Sequence, residues 1–181
     1  MRSVKITALL FFVAITGQSL VSAQSTNNPV KWYSIQEAEK LSKQSPRPIF
    51  IDTYTDWCGW CKKMDKDTFT NPVISDILNN KFYPVKFNAE GKDEVEFMGQ
   101  KFINDGKSGN AHQLAVSLLN GQMSYPTVVI FTIDNGKPAV SPIPGYRPAK
   151  DMEVILSFFS EKAYLTKKWD EYQQGFKGKV E

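Results

Sequence analysis

Three features of the sequence predict an α/β domain. Short apolar runs bounded by turn residues, at 48–51, 82–87, 128–133 and 139–143, read as strands. Stretches with helix-start signals and apolar residues three to four apart lie between and around them. The first strand runs through Asp52-Thr53-Tyr54-Thr55-Asp56-Trp57 into Cys58-Gly59-Trp60-Cys61, followed by the good helix formers Lys62, Lys63 and Met64. The only two cysteines of the chain therefore fall in the first turn of a helix. Unpaired backbone N–H groups and the positive end of the helix dipole favour an anionic sulfur there. A thiolate is the reactive form of cysteine, so Cys58 is expected to be a nucleophile near neutral pH.

The chain opens on Arg2 and Lys5, an apolar run from Ile6 to Ile15, and the small residues Val21-Ser22-Ala23. That run is shorter than the ~20 residues a spanning helix needs, so residues 1–23 read as a signal peptide. An exported protein, periplasmic or secreted, is expected. Without Arg2 and Lys5 the formal charge falls from +3 to about +1, which argues against nucleic acid or an acidic polymer as partner. Residues 24–30 are polar at first and read as a disordered linker. The rest suffices for one domain.

Lys31-Trp32-Tyr33 is expected to be a short edge strand, with Trp32 and Tyr33 as packing aromatics. Ser34 and Glu37 fit a capping box for a helix that buries Ile35, Ala38 and Leu41, ended by Pro46 and Pro48. Beyond the cysteine helix, Asn71 as cap and Pro72 at the first position start a helix with Val73, Ile74, Ile77 and Leu78 facing inward. After the second strand, Val95, Met98 and Phe102 stand at helical spacing and predict a helix. A loop at 105–109 separates it from a second amphipathic helix with Ala111, Leu114, Leu118 and Leu119. His112, the single histidine, begins that helix and reads as a surface or capping residue. Asp134-Asn135-Gly136 turns the last two strands into a hairpin, and Pro138 and Pro142 place its second strand at an edge. A terminal helix from Lys150 buries Met152, Ile155, Leu156 and Phe159. Trp169, Tyr172 and Phe176 continue the spacing and are expected to pack back onto the domain.

The cysteine stretch resembles the active site of the thioredoxin superfamily. Asp52 stands where that family carries a buried acid, Tyr54 where it has an aromatic, and Trp57 where a Trp precedes the first Cys. Val85-Lys86-Phe87-Asn88 is similar to the next strand, with Lys86 near the acid. Tyr125-Pro126-Thr127 resembles the cis-proline segment, and Gly145 the glycine after the last strand. The likeness covers roughly residues 30–160. Cys-x-x-Cys-Lys-Lys followed by Thr68-Phe69 and Asn71-Pro72 is closer to exported thioredoxin-like proteins of bacterial envelopes. These include the C-terminal domain of the periplasmic thiol:disulfide interchange reductase.

The resemblance implies a thioredoxin-like fold: a central mixed β-sheet flanked by helices, with a helical insertion before the cis-Pro strand. It sets the domain at 31–165, with a C-terminal helical extension at 166–181. In the implied chemistry Cys58 is the exposed attacker and Cys61 the buried resolving thiol, whose pKa burial raises. Asp52, desolvated and therefore reluctant to ionise, takes the proton from Cys61, and Lys86 favours its charged form. Trp57, Gly59, Trp60, Tyr125 and Pro126 are the expected substrate contacts. Trp60 departs from the family, which commonly has Pro there, and residues between the cysteines set the redox direction.

The expected function is an exported thiol–disulfide oxidoreductase reducing protein disulfides. It needs no cofactor beyond the Cys58–Cys61 pair and no metal, and a membrane-bound electron donor and a monomeric state are expected. The alternatives are a disulfide oxidase or isomerase on the same scaffold, a Cu(I)-binding module with Met64 beside the thiolates, and a redox-inactive binding domain. A purely structural disulfide is disfavoured, because two intervening residues close almost no loop.

Overall fold

The computed structural model describes residues 28–180. The expected signal peptide at 1–23, and residues 24–27 of the expected linker, lie outside the described residues. The elements are α1 (Ile35–Gln44), β1 (Ile49–Tyr54), α2 (Gly59–Asp67), α3 (Pro72–Lys81), β2 (Tyr83–Asn88), β3 (Val95–Phe97), β4 (Gln100–Phe102), α4 (Gln113–Leu118), β5 (Thr127–Asp134), β6 (Lys137–Pro144), α5 (Ala149–Ser160) and α6 (Trp169–Gly175).

The main sheet has the order β2-β1-β5-β6. β1 runs parallel to β2 and antiparallel to β5, and β5 and β6 form the predicted hairpin. Asn135 and Gly136 close it with φ of 52° and 75°, the left-handed pair that a two-residue turn demands and that Asn-Gly adopts readily. β6, with Pro138 and Pro142, is an edge strand, as expected. Because β1 is central, both its faces are buried. Phe50 points into a core with Met64, Ile74, Leu78, Val128, Ile130, Met152 and Leu156, beneath α2, α3 and α5. Ile49 and Ile51 point into the opposite core with Ala38, Leu114, Val129 and Phe131, under α1 and α4. The caps form as the sequence predicts: Ser34 and Glu37 exchange the reciprocal bonds of a capping box, and Asn71 accepts from the N–H groups of Val73 and Ile74.

Five expectations need correction. Val95, Met98 and Phe102 do not share a helix; β3 and β4 form a small antiparallel hairpin turned by Met98 and Gly99, at φ of 52° and 73°. Val95 pairs directly with Phe102 across it, so the two buried side chains imitate helical spacing while meeting cross-strand. The insertion is thus one hairpin and one short helix, α4. Lys31-Trp32-Tyr33 gives only a single bridge, Tyr33 beside Val85 on the outer edge of β2. Pro29 and Val30 do not trail as a linker: the Pro29 carbonyl accepts from Asn79 Nδ2, and Val30 is buried in the core under α3. His112 caps α4 as expected but is no surface residue. Its ring is buried against Phe87, Nδ1 accepts from the Leu114 N–H, and Nε2 lies 3.0 Å from the Asp93 carbonyl.

In α5, Phe158 is buried where the pattern pointed to Phe159, which is only half-buried. Phe158 is the residue that receives the C-terminal aromatics: Trp169 and Tyr172 of α6 meet its ring at centroid distances of 5.3 and 5.2 Å. The packing-back of α6 is therefore what covers the Phe158 side of α5.

Candidate active site

All four strands of the main sheet deliver a loop to the same rim. β1 and β2 end there at Tyr54 and Asn88, which face each other in register, while β5 begins there at Thr127 opposite the end of β6 at Pro144. The cysteines stand on this rim, at the start of α2. Cys58 is the N-cap, its own N–H donating to the Thr55 carbonyl at 3.1 Å, and its sulfur accepts from the Cys61 N–H at 3.1 Å. Cys58 and Cys61 form a disulfide. The expected contrast of exposed attacker and buried resolver is absent in this oxidised state: Cys58 is 4% exposed and Cys61 2%. The physical reason is the cap itself, which folds the Cys58 side chain back over the first helical turn. The apolar surface at the rim belongs instead to the neighbouring indoles, Trp57 at 67% and Trp60 at 58% exposed.

Beneath α2 lies Asp52. It shares a strand face with Phe50, which brings it under the helix, and it is fully buried. Lys86 is its register partner on β2, and Lys86 Nζ lies 3.0 Å from Asp52 Oδ2. The ammonium is near enough for an ion pair but not aligned as a donor, so neither carboxylate oxygen of Asp52 has a hydrogen-bond partner. Lys86 is held instead among the rings of Tyr54, Trp32 and Phe69, 4.9, 5.5 and 5.8 Å from their centroids, and pairs with Asp65 of α2. Burial pushes the Asp52 carboxyl up to about 6; the Lys86 charge pulls it down and the Asp65 charge adds to the rise. Burial alone would lower the Lys86 ammonium, but the two carboxylates outweigh it and hold Lys86 above its ordinary value.

On the same rim, immediately before β5, is the Tyr125–Pro126 segment, whose peptide bond is cis. The Gly145 N–H donates to the Pro126 carbonyl at 2.8 Å, tying the loop after β6 to the loop before β5. Gly145 has φ of 91°, a conformation that suits glycine alone. Trp57 meets the Tyr125 ring edge-on at 6.0 Å and donates its indole N–H to Glu90 Oε2 at 3.0 Å. Trp60 lies over the Tyr146 ring at 5.4 Å. Gly59, between the cysteines, has open space around it, with nothing within 4 Å of where a Cβ would stand.

The structure therefore gathers Cys58, Cys61, Trp57, Gly59, Trp60, Tyr125 and Pro126 on one rim, with Asp52 and Lys86 below it. Met64, weighed as an extra soft ligand, is buried in the core with Phe50 and Ile74. Among the described residues no group of three or more His, Cys, Asp or Glu side chains could hold a metal ion. Sequence reasoning missed Asp65, Glu90 and Tyr146. Asp65 was within reach, since it follows Cys61 by four and so lies one turn further along the same side of α2. Glu90 and Tyr146 carry no local signal, because each reaches its indole only through tertiary packing.

The solution structure of a thioredoxin from Thermus thermophilus is similar in fold: TM-score 0.55 at 17% identity, covering 77% of this chain and 90% of that one. Among curated proteins, an uncharacterized protein of Caenorhabditis elegans (B0495.5) is 31% identical over 75% of this chain. Spermatogenesis-associated protein 20 of Rattus norvegicus is 32% identical over 62% of it. The thiol:disulfide interchange protein DsbD of Pectobacterium atrosepticum is 23% identical over 70%. The matched stretches make up only 16%, 14% and 19% of those three proteins' own length. Residues 14–181 match the family Thioredox_DsbH, described as a protein of unknown function, DUF255. On that match the chain belongs to the Thioredox_DsbH family, and its described residues have the thioredoxin fold with an oxidised Cys58–Cys61 pair on the sheet rim.

Proposed function

We propose that this protein is an exported thiol–disulfide oxidoreductase that reduces protein disulfides with its Cys58–Cys61 pair. The observation that carries the reading is Asp52: a buried carboxyl without a hydrogen-bond partner, poised at about 6 beneath the helix that holds the disulfide. An acid so placed can accept and return a proton near neutral pH, which dithiol chemistry requires.

In the reduced protein the Cys58 thiolate attacks one sulfur of a substrate disulfide. A Cys58–substrate bond forms, the substrate S–S bond breaks, and the departing sulfur takes up a proton. Asp52 then receives the Cys61 proton. The Cys61 thiolate attacks Cys58, closing the Cys58–Cys61 bond and expelling the second substrate thiolate. Two electrons have passed from protein to substrate. Lys86 holds the charge of Asp52 once it is ionised. Trp57, Gly59, Trp60, Tyr125 and Pro126 are the substrate contacts, Pro126 presenting a backbone nitrogen without a hydrogen beside the sulfurs.

Export is supported by the basic, apolar and small-residue order of residues 1–23. Exchange chemistry is supported by the Asp52 relay and by the sequence likeness to a protein named for thiol:disulfide interchange. The reducing direction rests on the resemblance of the cysteine stretch to the periplasmic interchange reductase. Outside the cytoplasm the dithiol must be regenerated by a membrane-bound donor of two electrons.

Insulin reduction by wild type, Cys58→Ser and Cys61→Ala tests the reading. Both variants lose turnover, and Cys61→Ala accumulates mixed disulfides through Cys58. Equilibration against glutathione gives the direction: a potential near about −270 mV marks a reductant, whereas one near about −120 mV assigns the site to oxidation. Full turnover by Cys58→Ser would remove the site from the chemistry.

A further inference from the structure

We propose that Trp60 and Tyr146 form an aromatic shelf that binds a bulky apolar side chain adjacent to the reacting cysteine of a protein substrate, and so selects among substrates. This rests on the exchange reading above and adds a substrate class to it.

The two sulfurs expose almost nothing, while the indoles on either side of Cys58 are the most exposed large apolar groups of the rim. A substrate disulfide must therefore be held by the surroundings of the sulfurs rather than by the sulfurs. The two indoles are not equivalent. Trp57 is committed to the insertion side, with its N–H on Glu90 and its edge against Tyr125. Trp60 stands on the other side and rests on Tyr146 alone among the aromatic rings.

The base of that shelf is rigid. Tyr146 follows Gly145, whose N–H is bonded to the Pro126 carbonyl, so the shelf keeps a fixed place relative to the Tyr125 wall. The Tyr146 hydroxyl lies 3.5 Å from Asp67 Oδ2, and the Lys63 ammonium sits 5.6 Å from its ring centroid. Lys63 and Asp67 also pair with each other along α2. Lys63 and Asp67 thus offset each other beside the Tyr146 ring, and what Trp60 offers above it is chiefly exposed indole, 58% accessible. Such a face favours an apolar side chain over a charged one. Trp60 lies between the two cysteines in the first turn of α2, which puts its occupant near the reacting substrate sulfur.

The test uses short peptides of the form Cys-X, each joined by a disulfide to thionitrobenzoate, with X as Leu or Gly. Cys58 of the pre-reduced protein attacks the peptide sulfur, the Cys58–peptide bond forms, and the coloured thionitrobenzoate anion leaves with the electron pair. For wild type the second-order rate constant with Leu exceeds that with Gly by about tenfold, as partial burial of one aliphatic side chain provides. The ratio falls to about twofold or less in Trp60→Ala and in Tyr146→Leu, the latter leaving the Cys-x-x-Cys segment intact, and largely survives in Trp60→Phe. Each ratio compares two substrates on one variant, so a general change in thiol reactivity cancels.

Equal wild-type rates for Leu and Gly, or a ratio unchanged in both shelf variants, overturn the proposal. So does uniform acceleration of both peptides by Trp60→Ala, which would make the indole a mere shield over the sulfurs. Release no faster than glutathione achieves at the same thiol concentration overturns the exchange reading, and the shelf with it.

Discussion

Asp52 and Glu153 are both buried carboxylates in this domain, and their surroundings treat them oppositely. Glu153 of α5 is 3% exposed, yet its oxygens accept the Lys179 N–H at 2.7 and 3.0 Å and the Val180 N–H at 2.9 Å. The returning C-terminal strand of backbone comes so close that a Cβ on Gly178 would stand 2.5 Å from Glu153 Oε2. Asp52 is buried at least as deeply but has no aligned donor, only an ammonium shared with Asp65. Both are deep; what differs is the set of donors each meets, three backbone N–H contacts for Glu153 and the shared Lys86 ammonium for Asp52. Glu153 is a clasp for the chain end, and Asp52 is left able to trade a proton.

The comparison breaks most clearly in kinetics. Asp52→Asn slows the Cys61-dependent decay of a mixed disulfide at pH 7 by about a hundredfold, within the range of lost general-base catalysis. Wild type shows a rate that climbs through about pH 6, where Asp52 ionises, and the variant lacks that inflection. Stopped-flow decay across pH reads both; an unaltered profile would put Asp52 in the same class as Glu153. Glu153→Ala strands the Lys179 and Val180 N–H groups and costs about 2 to 3 kcal/mol in denaturant unfolding, because bonds to a charged group are lost. Its exchange rate equals that of wild type, and a slowed rate would erase the distinction between clasp and relay.

Stability against pH sharpens the same contrast. The folded-state value for Asp52, about 6, lies above the ordinary 3.8 of an aspartate. Between those values the folded chain binds a proton at Asp52 that the unfolded chain has released, so the Asp52 contribution to stability is fully present below about pH 4 and is lost as pH rises through about 6. Asp52→Asn abolishes that decline and gains on wild type between pH 4 and 7 in paired thermal melts. The smallest effect concerns Asp65. Asp65→Asn removes the like charge and leaves Lys86 to Asp52 alone, so the kinetic inflection moves below its wild-type position. A shift upward would contradict the shared-ammonium geometry.

Local chemistry explains which elements could be read in advance. Ser34, Asn71-Pro72 and Asn135-Gly136 carry their structural reasons within three or four residues, and each element they bound appears where expected. Val95, Met98 and Phe102 misled because a two-residue hairpin turn places residues seven apart face to face, and an apolar pattern does not distinguish that from two helical turns. The redox stretch was legible as a motif, with Asp52 and Lys86 in adjacent strands. What surrounds it was not: Glu90 and Tyr146 acquire their parts only when loops from different strands meet, whereas Asp65 stands one turn beyond Cys61 on α2 and was within reach. The small exposure of Cys58 was also beyond reach, since it follows from a sulfur folded back to cap its own helix.

The convergence of four strand ends on one rim has a consequence for the newly made chain. Both cysteines and the acid are encoded before residue 62, but the wall that confronts them comes from 125–126 and 145–147. A polypeptide that has not yet added β5 and β6 to the sheet carries two ordinary peptide thiols and an ordinary aspartate in water. The surroundings that set this pair apart from ordinary thiols, the buried acid below and the 125–126 and 145–147 segments beside it, are thus complete only in a chain whose last strands have docked.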